Sequence, residues 1–279
     1  MASTAQARVR PVTVRAELNY VIDTGRTETF HANDHSLDTV KLDPRTVELA
    51  DARMLSGKPV LDINGLELFR MPSAVRDWRD ADHVMATYPA EVQAFIKRLT
   101  GADEVVIAGA AVLRWGERSA EAGTRDNSNA ARLIHSDSAS SAGEDFTLRS
   151  NPCPNRKIAR SAHHNIWRAF SGPPVDVPLA ICDATSVSEN DVVEATAAFD
   201  RDGQVLWSFA AMTFRYNPEH RWVFFSDMTP DEVLVFKRYD TDRRKAWFAP
   251  HTAFTDPCVG DEATPRASVE MRTISYWYE

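Results

Sequence analysis

The chain has 279 residues, with 32 Lys and Arg against 40 Asp and Glu, a formal net charge of −8 with neutral histidines. That balance excludes a protein that grips nucleic acid by general phosphate neutralisation, which needs a basic face. Hydrophobic residues at 43% and aromatics at 9% exclude wholesale disorder, and no apolar run approaches the roughly 18 residues of a membrane helix.

The N-terminal stretch MASTAQARVRPVTVRAE lacks the apolar segment of a signal peptide, so a soluble, cytoplasmic protein is expected. Cys153, Cys182 and Cys258 are few, odd in number and far apart, which argues against a disulfide framework and a thiolate zinc site. The first hundred residues read as irregular, since NDHSLDTVKLDPRTVELADARMLSG carries turn formers without a sustained period. A short helix is predicted over Pro89 to Leu99, with Val92, Phe95, Ile96 and Leu99 on one stripe and Gly101 to stop it.

From about Glu104 the texture changes. Short runs rich in Val, Ile, Phe, Tyr and Trp follow one another, among them EVVIAGAAVLRW, ARLIHSD, NIWRAF, VPLAICD, QVLWSFAAMTFRY, HRWVFFSD, EVLVFKRYD, KAWFAPHTAF and SVEMRTISYWYE. Asp202-Gly203 and Asn217-Pro218 mark turns, and Arg118 to Asn129 has the composition of an exposed loop. Many short strands at close spacing predict a mainly β protein: a barrel, sandwich or jelly roll.

His135 and Asp137 lie two apart in ARLIHSD, so on a strand both side chains point to one face and can hold one cation. His251, in the run WFAPHTAF, would complete two histidines and a carboxylate, the facial set that leaves positions open on non-haem iron(II). The signal is weak by itself, because eight histidines and 40 acids in 279 residues give about one His-x-Asp/Glu match by chance. Arg266-Ala-Ser268 is the only Arg-x-Ser in the chain. Alternation puts its guanidinium and hydroxyl on one face, a fork suited to a carboxylate such as that of 2-oxoglutarate. A surface Arg paired with Glu270 is the plain alternative. His163 and His164 are adjacent and on a strand would point opposite ways.

The second half resembles the non-haem iron hydroxylase and desaturase family that includes the gibberellin desaturase of fungi and the hydroxylase component of cephamycin methoxylation. The resemblance runs through YPAE at 88–91, HSD at 135–137, NIWR at 165–168, PLAICDATSV at 178–187, YNPEHRWVFFSDMTPDEVLVFKRYD at 216–240, PHTAFTDP at 250–257 and PRASVEMR at 265–272. It implies a double-stranded β-helix, jelly-roll and cupin-like, with flanking helices. It implies iron(II) on His135, Asp137 and His251, and 2-oxoglutarate anchored by Arg266 with Ser268 assisting. Asn165 and Arg168 match a conspicuous motif and are expected to line the pocket. The activity implied is hydroxylation or desaturation of a small secondary metabolite with dioxygen, through a ferryl oxidant.

Because candidate ligands spread from 135 to 266, one oxygenase domain over 1–279 is expected, with 1–103 as an N-terminal elaboration and 104–279 as the β-helix core. A homodimer is compatible with this reading, and nucleic acid or membrane partners are not expected. Two alternatives stay open. One is an iron oxidase that uses Arg266 on a substrate carboxylate and closes a ring without 2-oxoglutarate; the other is a non-catalytic small-molecule-binding β-barrel.

Overall fold

The computed structural model describes residues 11–279; residues 1–10, on which the absence of a leader partly rested, lie outside the described residues. Fifteen strands are present among these: β1 Thr13–Val21, β2 Glu28–His31, β3 Leu42–Asp51, β4 Leu66–Arg70, β5 Glu104–Ile107, β6 Val112–Trp115, β7 His135–Ser136, β8 Ile158–Ala169, β9 Leu179–Cys182, β10 Val192–Arg201, β11 Gln204–Phe214, β12 Trp222–Phe224, β13 Glu232–Asp240, β14 His251–Ala253 and β15 Ala267–Tyr278. The helices are α1 Leu61–Asn64, α2 Ala81–Thr100 and α3 Ser140–Arg149. No helix among the described residues is long and apolar enough to cross a membrane.

The strands form two sheets. The large one runs β1-β3-β12-β9-β14-β7-β11-β10-β2, and the small one runs β4-β13-β8-β15-β5 with β6 also paired to β15. They face one another across a shared core in which Trp167, Leu234 and Phe236 of the small sheet meet Leu179, Ile181 and Val223 of the large one. This is the mainly β, jelly-roll architecture expected from the strand texture. Asp202 and Gly203 both have positive φ, 52° and 76°, and close the β10–β11 hairpin where the Asp-Gly signal stood.

Alternation along the small sheet decides what faces the interior. Asn165 and Trp167 of β8, Leu234, Phe236 and Arg238 of β13, and Ser268, Glu270 and Arg272 of β15 point to the large sheet. Their neighbours Ile166, Val233, Val235, Val269 and Met271 point outward and pack under α2. That helix turns Val84, Tyr88, Val92 and Ile96, each 0% exposed, onto them. Burial of four such side chains stabilises the layer by roughly 6–12 kcal/mol before entropy.

Two expectations are corrected here. The helix begins at Ala81 and not at Pro89, because the Asp80 side chain accepts from the His83 N–H as an N-cap, and the four-residue apolar spacing carries the helix through Pro89 to Gly101. The first hundred residues are not irregular. β1 buries Val14, Ala16, Leu18 and Tyr20 in strict alternation and pairs with β3 over its whole length, from Thr13–Ala50 to Val21–Leu42. β2 lies parallel to β10, and β4 pairs with β13, so the N-terminal segment adds strands to both sheets.

Candidate active site

β7 is two residues long, and its antiparallel pairing with β14 sets His135 directly opposite His251, with the rings 4.4 Å apart. Each imidazole is steered by a carbonyl two residues upstream: Nδ1 of His135 donates to Leu133 at 2.8 Å, and Nδ1 of His251 donates to Ala249 at 3.1 Å. A carbonyl can only accept, so Nδ1 carries the proton on both rings and Nε2 presents its lone pair. Phe236 packs 4.6 Å from the His251 ring and fixes its tilt. Burial holds His135 at about 4, with His251 adding to it, and lowers His251 as well. Both rings are therefore neutral at neutral pH, the form that binds a metal.

Asp137 directly follows β7. One ligand atom from each of His135, Asp137 and His251 lies within 4.8 Å of the others, within reach of one ion. Asn165 of the opposite sheet donates Nδ2 to Asp137 Oδ2 at 2.5 Å. Burial raises the Asp137 carboxyl, but the Arg272 and Arg238 guanidinium groups outweigh it and hold it below the usual carboxylate range. Their contacts are loose: Arg238 Nε is 3.7 Å from Oδ2, and Arg272 Nη2 is 3.8 Å from Oδ1. The carboxylate is thus kept ionised without having its metal-facing oxygen occupied.

Arg266 and Ser268 lie on the neighbouring face. Arg266 is 2% exposed; its Nε donates to Ser268 Oγ at 3.0 Å, its Nη1 reaches the Val177 carbonyl at 3.3 Å, and its guanidinium stacks 5.2 Å over Trp167. Asp176 meets only its backbone N–H, at 2.9 Å. Burial lowers Arg266 to about 9, with Arg114 and Arg132 pushing the same way. A narrow cleft joins this guanidinium to His135, Asp137 and His251, lined also by Trp167 and Thr252.

Arg168 is elsewhere. Three residues from Asn165 on one strand, it falls on the opposite face, donating at 2.6 Å to the Pro230 and Met71 carbonyls and lying over Trp78 and Tyr88. It does not line the cleft. Phe248 and Phe254 lie in the hydrophobic core of the large sheet, whereas Trp167 serves both the core and the cleft wall. His163 and His164 do diverge: His163 meets Thr147 of α3 at 2.8 Å, and His164 lines a separate surface hollow with Asp62 and Arg160. The residues that sequence reasoning passed over are Arg114 and Arg238. A signal for Arg238 existed, since it continues the inward stripe of Leu234 and Phe236, where a charged residue has no place unless it has something to bind.

Fold and site together define an oxidoreductase of the jelly-roll class, its interior holding two imidazoles and a carboxylate between facing sheets. The chain belongs to the family described as Oxidoreductase/YMDC permease-like domain, whose model matches residues 18–276. It is 29% identical over an alignment of 297 residues to the hydroxylase/desaturase efuI of Hormonema carpetanum, with 97% of each chain covered. To the alpha-ketoglutarate-dependent dioxygenase tstK of Talaromyces stipitatus it is 30% identical over 266 residues, 87% of this chain and 90% of that one. Among solved structures, the iron and alpha-ketoglutarate-dependent endoperoxidase NvfI shares the fold, with a TM-score of 0.83 at 22% identity over 98% of this chain and 100% of that one.

Proposed function

We propose that His135, Asp137 and His251 hold iron(II) and that the protein is a 2-oxoglutarate-dependent oxygenase which hydroxylates or desaturates a small secondary metabolite. The observation that carries this reading is the pair of Nδ1–carbonyl bonds, which turn both Nε2 lone pairs toward an ionised, only loosely paired Asp137. Two nitrogens and one oxygen, with no fourth protein ligand among the described residues, suit a metal that keeps positions open for exchange. Bound there, iron(II) with 2-oxoglutarate supplies the activation of dioxygen needed to break an unactivated C–H bond.

The chain's own residues do the rest. Arg266, buried and without a carboxylate on its side chain, takes the far carboxylate of 2-oxoglutarate, with Ser268 fixing the plane of its fork. Asn165 orients Asp137 through Oδ2 and leaves Oδ1 for the metal. Trp167, Leu179 and Thr252 close the cleft and keep bulk water from the anchored co-substrate. Arg168 holds the fold and is left out of the site.

The same reading treats 1–279 as one oxygenase domain, supported by a site that draws on both sheets and by N-terminal strands that extend them. It also places the protein in the cytoplasm, acting alone or as a homodimer on free small molecules, apart from nucleic acid and membrane. Anaerobic titration with iron(II), with and without 2-oxoglutarate, tests the centre: one equivalent should bind, and 2-oxoglutarate should bring up a weak visible band. His135→Ala, Asp137→Ala and His251→Ala should each lose iron and turnover. Stoichiometric iron in all three would overturn the assignment, and turnover without succinate would remove 2-oxoglutarate from it.

A further inference from the structure

Beyond Asp137, between α3 and the inner face of the small sheet, lies a second and larger space of about 360 Å³. Phe146, Trp207, Phe209 and Ile274 wall it, and Arg238 and Arg272 line it next to Asp137. It adjoins a smaller space of about 70 Å³ over His135 at Asp137, Phe209 and Arg272. The larger of the two has the volume of a small-molecule site.

Its guanidinium groups are short of partners. Arg238 is 5% exposed; Nη2 donates to the neutral Ser138 hydroxyl at 2.9 Å, while Nε has no hydrogen-bond partner and stands too far from Asp137 to make one. Arg272 Nε is likewise unpartnered, its Nη2 lying 2.8 Å from Glu270 Oε1. Buried donors left this way cost free energy unless a ligand completes them.

The charge balance makes the same demand. Six guanidinium groups and three carboxylates line the two spaces and the cleft; with Arg132 paired to Glu117, Arg149 to Asp145 and Asp38 to His35, Arg114, Arg238, Arg266 and Arg272 stand against Asp137 and Glu270. Iron(II) and the 2-oxoglutarate dianion would cancel one another, so two positive charges remain in a poorly solvated interior, which disfavours an unpaired charge.

Resting on the iron reading above, we propose that Arg238 and Arg272 bind a carboxylate of the organic substrate, whose flat apolar body lies against Phe146, Trp207 and Phe209. The aromatic wall is preformed: Phe199, Trp207 and Phe209 stack at 4.2 and 5.2 Å with interplanar angles of 14° and 25°. Trp207 is half exposed at its rim, so the far end of the substrate points toward solvent. Arg272 flanks Asp137, so the carbon presented for oxidation lies close to the carboxylate.

The test uses the full-length protein loaded anaerobically with iron(II) and saturating 2-oxoglutarate, so that no turnover occurs. Calorimetric titration compares 2-naphthoate with its neutral analogue 2-naphthylmethanol. The carboxylate should bind about tenfold tighter or more, and Arg238→Gln and, separately, Arg272→Gln should abolish that preference while Arg238→Lys retains part of it. Thermal melts of each variant check the fold, and either single variant suffices if the other fails to fold. Equal affinity for the two probes would overturn the proposal. So would a preference that survives Arg238→Gln and Arg272→Gln, or one lost only in Arg266→Gln, which would place the probe at the co-substrate anchor. The visible band in the same sample reports the iron reading separately: a band without a naphthoate preference overturns this proposal alone, and a preference without a band overturns the iron centre alone.

Discussion

The two faces of the small sheet are made of the same strands and are both dry, yet they use buried arginine in opposite ways. On the outer face Arg168, 1% exposed, directs Nη1 and Nη2 at 2.6 Å into two backbone carbonyls and stacks over two aromatic rings. On the inner face Arg266, 2% exposed, has one good bond to a hydroxyl and a long one to a carbonyl. Arg238 and Arg272 keep unpartnered Nε atoms, as Arg168 does, but their terminal nitrogens meet a hydroxyl and a carboxylate and no backbone carbonyl. A buried guanidinium whose donors are used by the backbone is a fastener. One whose donors are idle in an accessible cleft is waiting for an anion. Burial alone does not separate the two; what the terminal nitrogens bind does.

That contrast is sharpest if one arginine on each face is neutralised. Arg168→Met should lower stability by about 3–5 kcal/mol, since the Pro230 and Met71 carbonyls lose their donors in the core, while the KM for 2-oxoglutarate stays put. Denaturant unfolding and steady-state kinetics on the same preparation check both halves, and a KM change without a stability change would reverse the roles assigned. Arg266→Gln should do the converse. Its KM for 2-oxoglutarate should rise about 100-fold, equivalent to about 2.7 kcal/mol, with the melting temperature unchanged or raised, because an unpaired buried charge is removed. A fall in melting temperature matching that of Arg168→Met would show that Arg266 too is a fastener.

Much of the inner face was legible in the sequence because period two applies along extended backbone, even where, as at β7, the strand itself is two residues long. HSD and the Arg-x-Ser pair each place two side chains on one face, and the structure brings His135, Asp137, His251, Arg266 and Ser268 around one cleft. Arg168 shows the limit of motif matching: NIWR puts Asn165 and Arg168 in one motif, but an odd separation on a strand sends them to opposite faces. The N-terminal strands were hidden by the turn formers around them. Pro44 lies inside β3, and the alternation of Val14, Ala16, Leu18 and Tyr20 was there to be counted. What no local pattern carries is which distant strands become neighbours. β7 joins β14 and β11 through only two residues, and that pairing alone brings His251 to His135.

The adjacent histidines of β8 probe what the two faces share. His163 points inward to Thr147 and His164 outward, yet burial depresses both, His163 well below its ordinary value and His164 to about 3. For His163 the next contribution is the Arg238 charge, and for His164 it is Lys237. A histidine with a folded pKa below its unfolded value contributes its full stability above about pH 6.5 and loses it as pH falls, because the unfolded chain takes up the proton first. For His164 the loss at pH 5 is about 2 kcal/mol. Urea unfolding at pH 7 and pH 5 should show wild type losing stability on acidification, and His164→Gln losing about 2 kcal/mol less over the same interval. His163→Gln should shift the difference in the same direction, since its imidazole is equally dry. If only one variant flattens the acid limb, water reaches the other face, and the donors on that face are solvated and no longer idle.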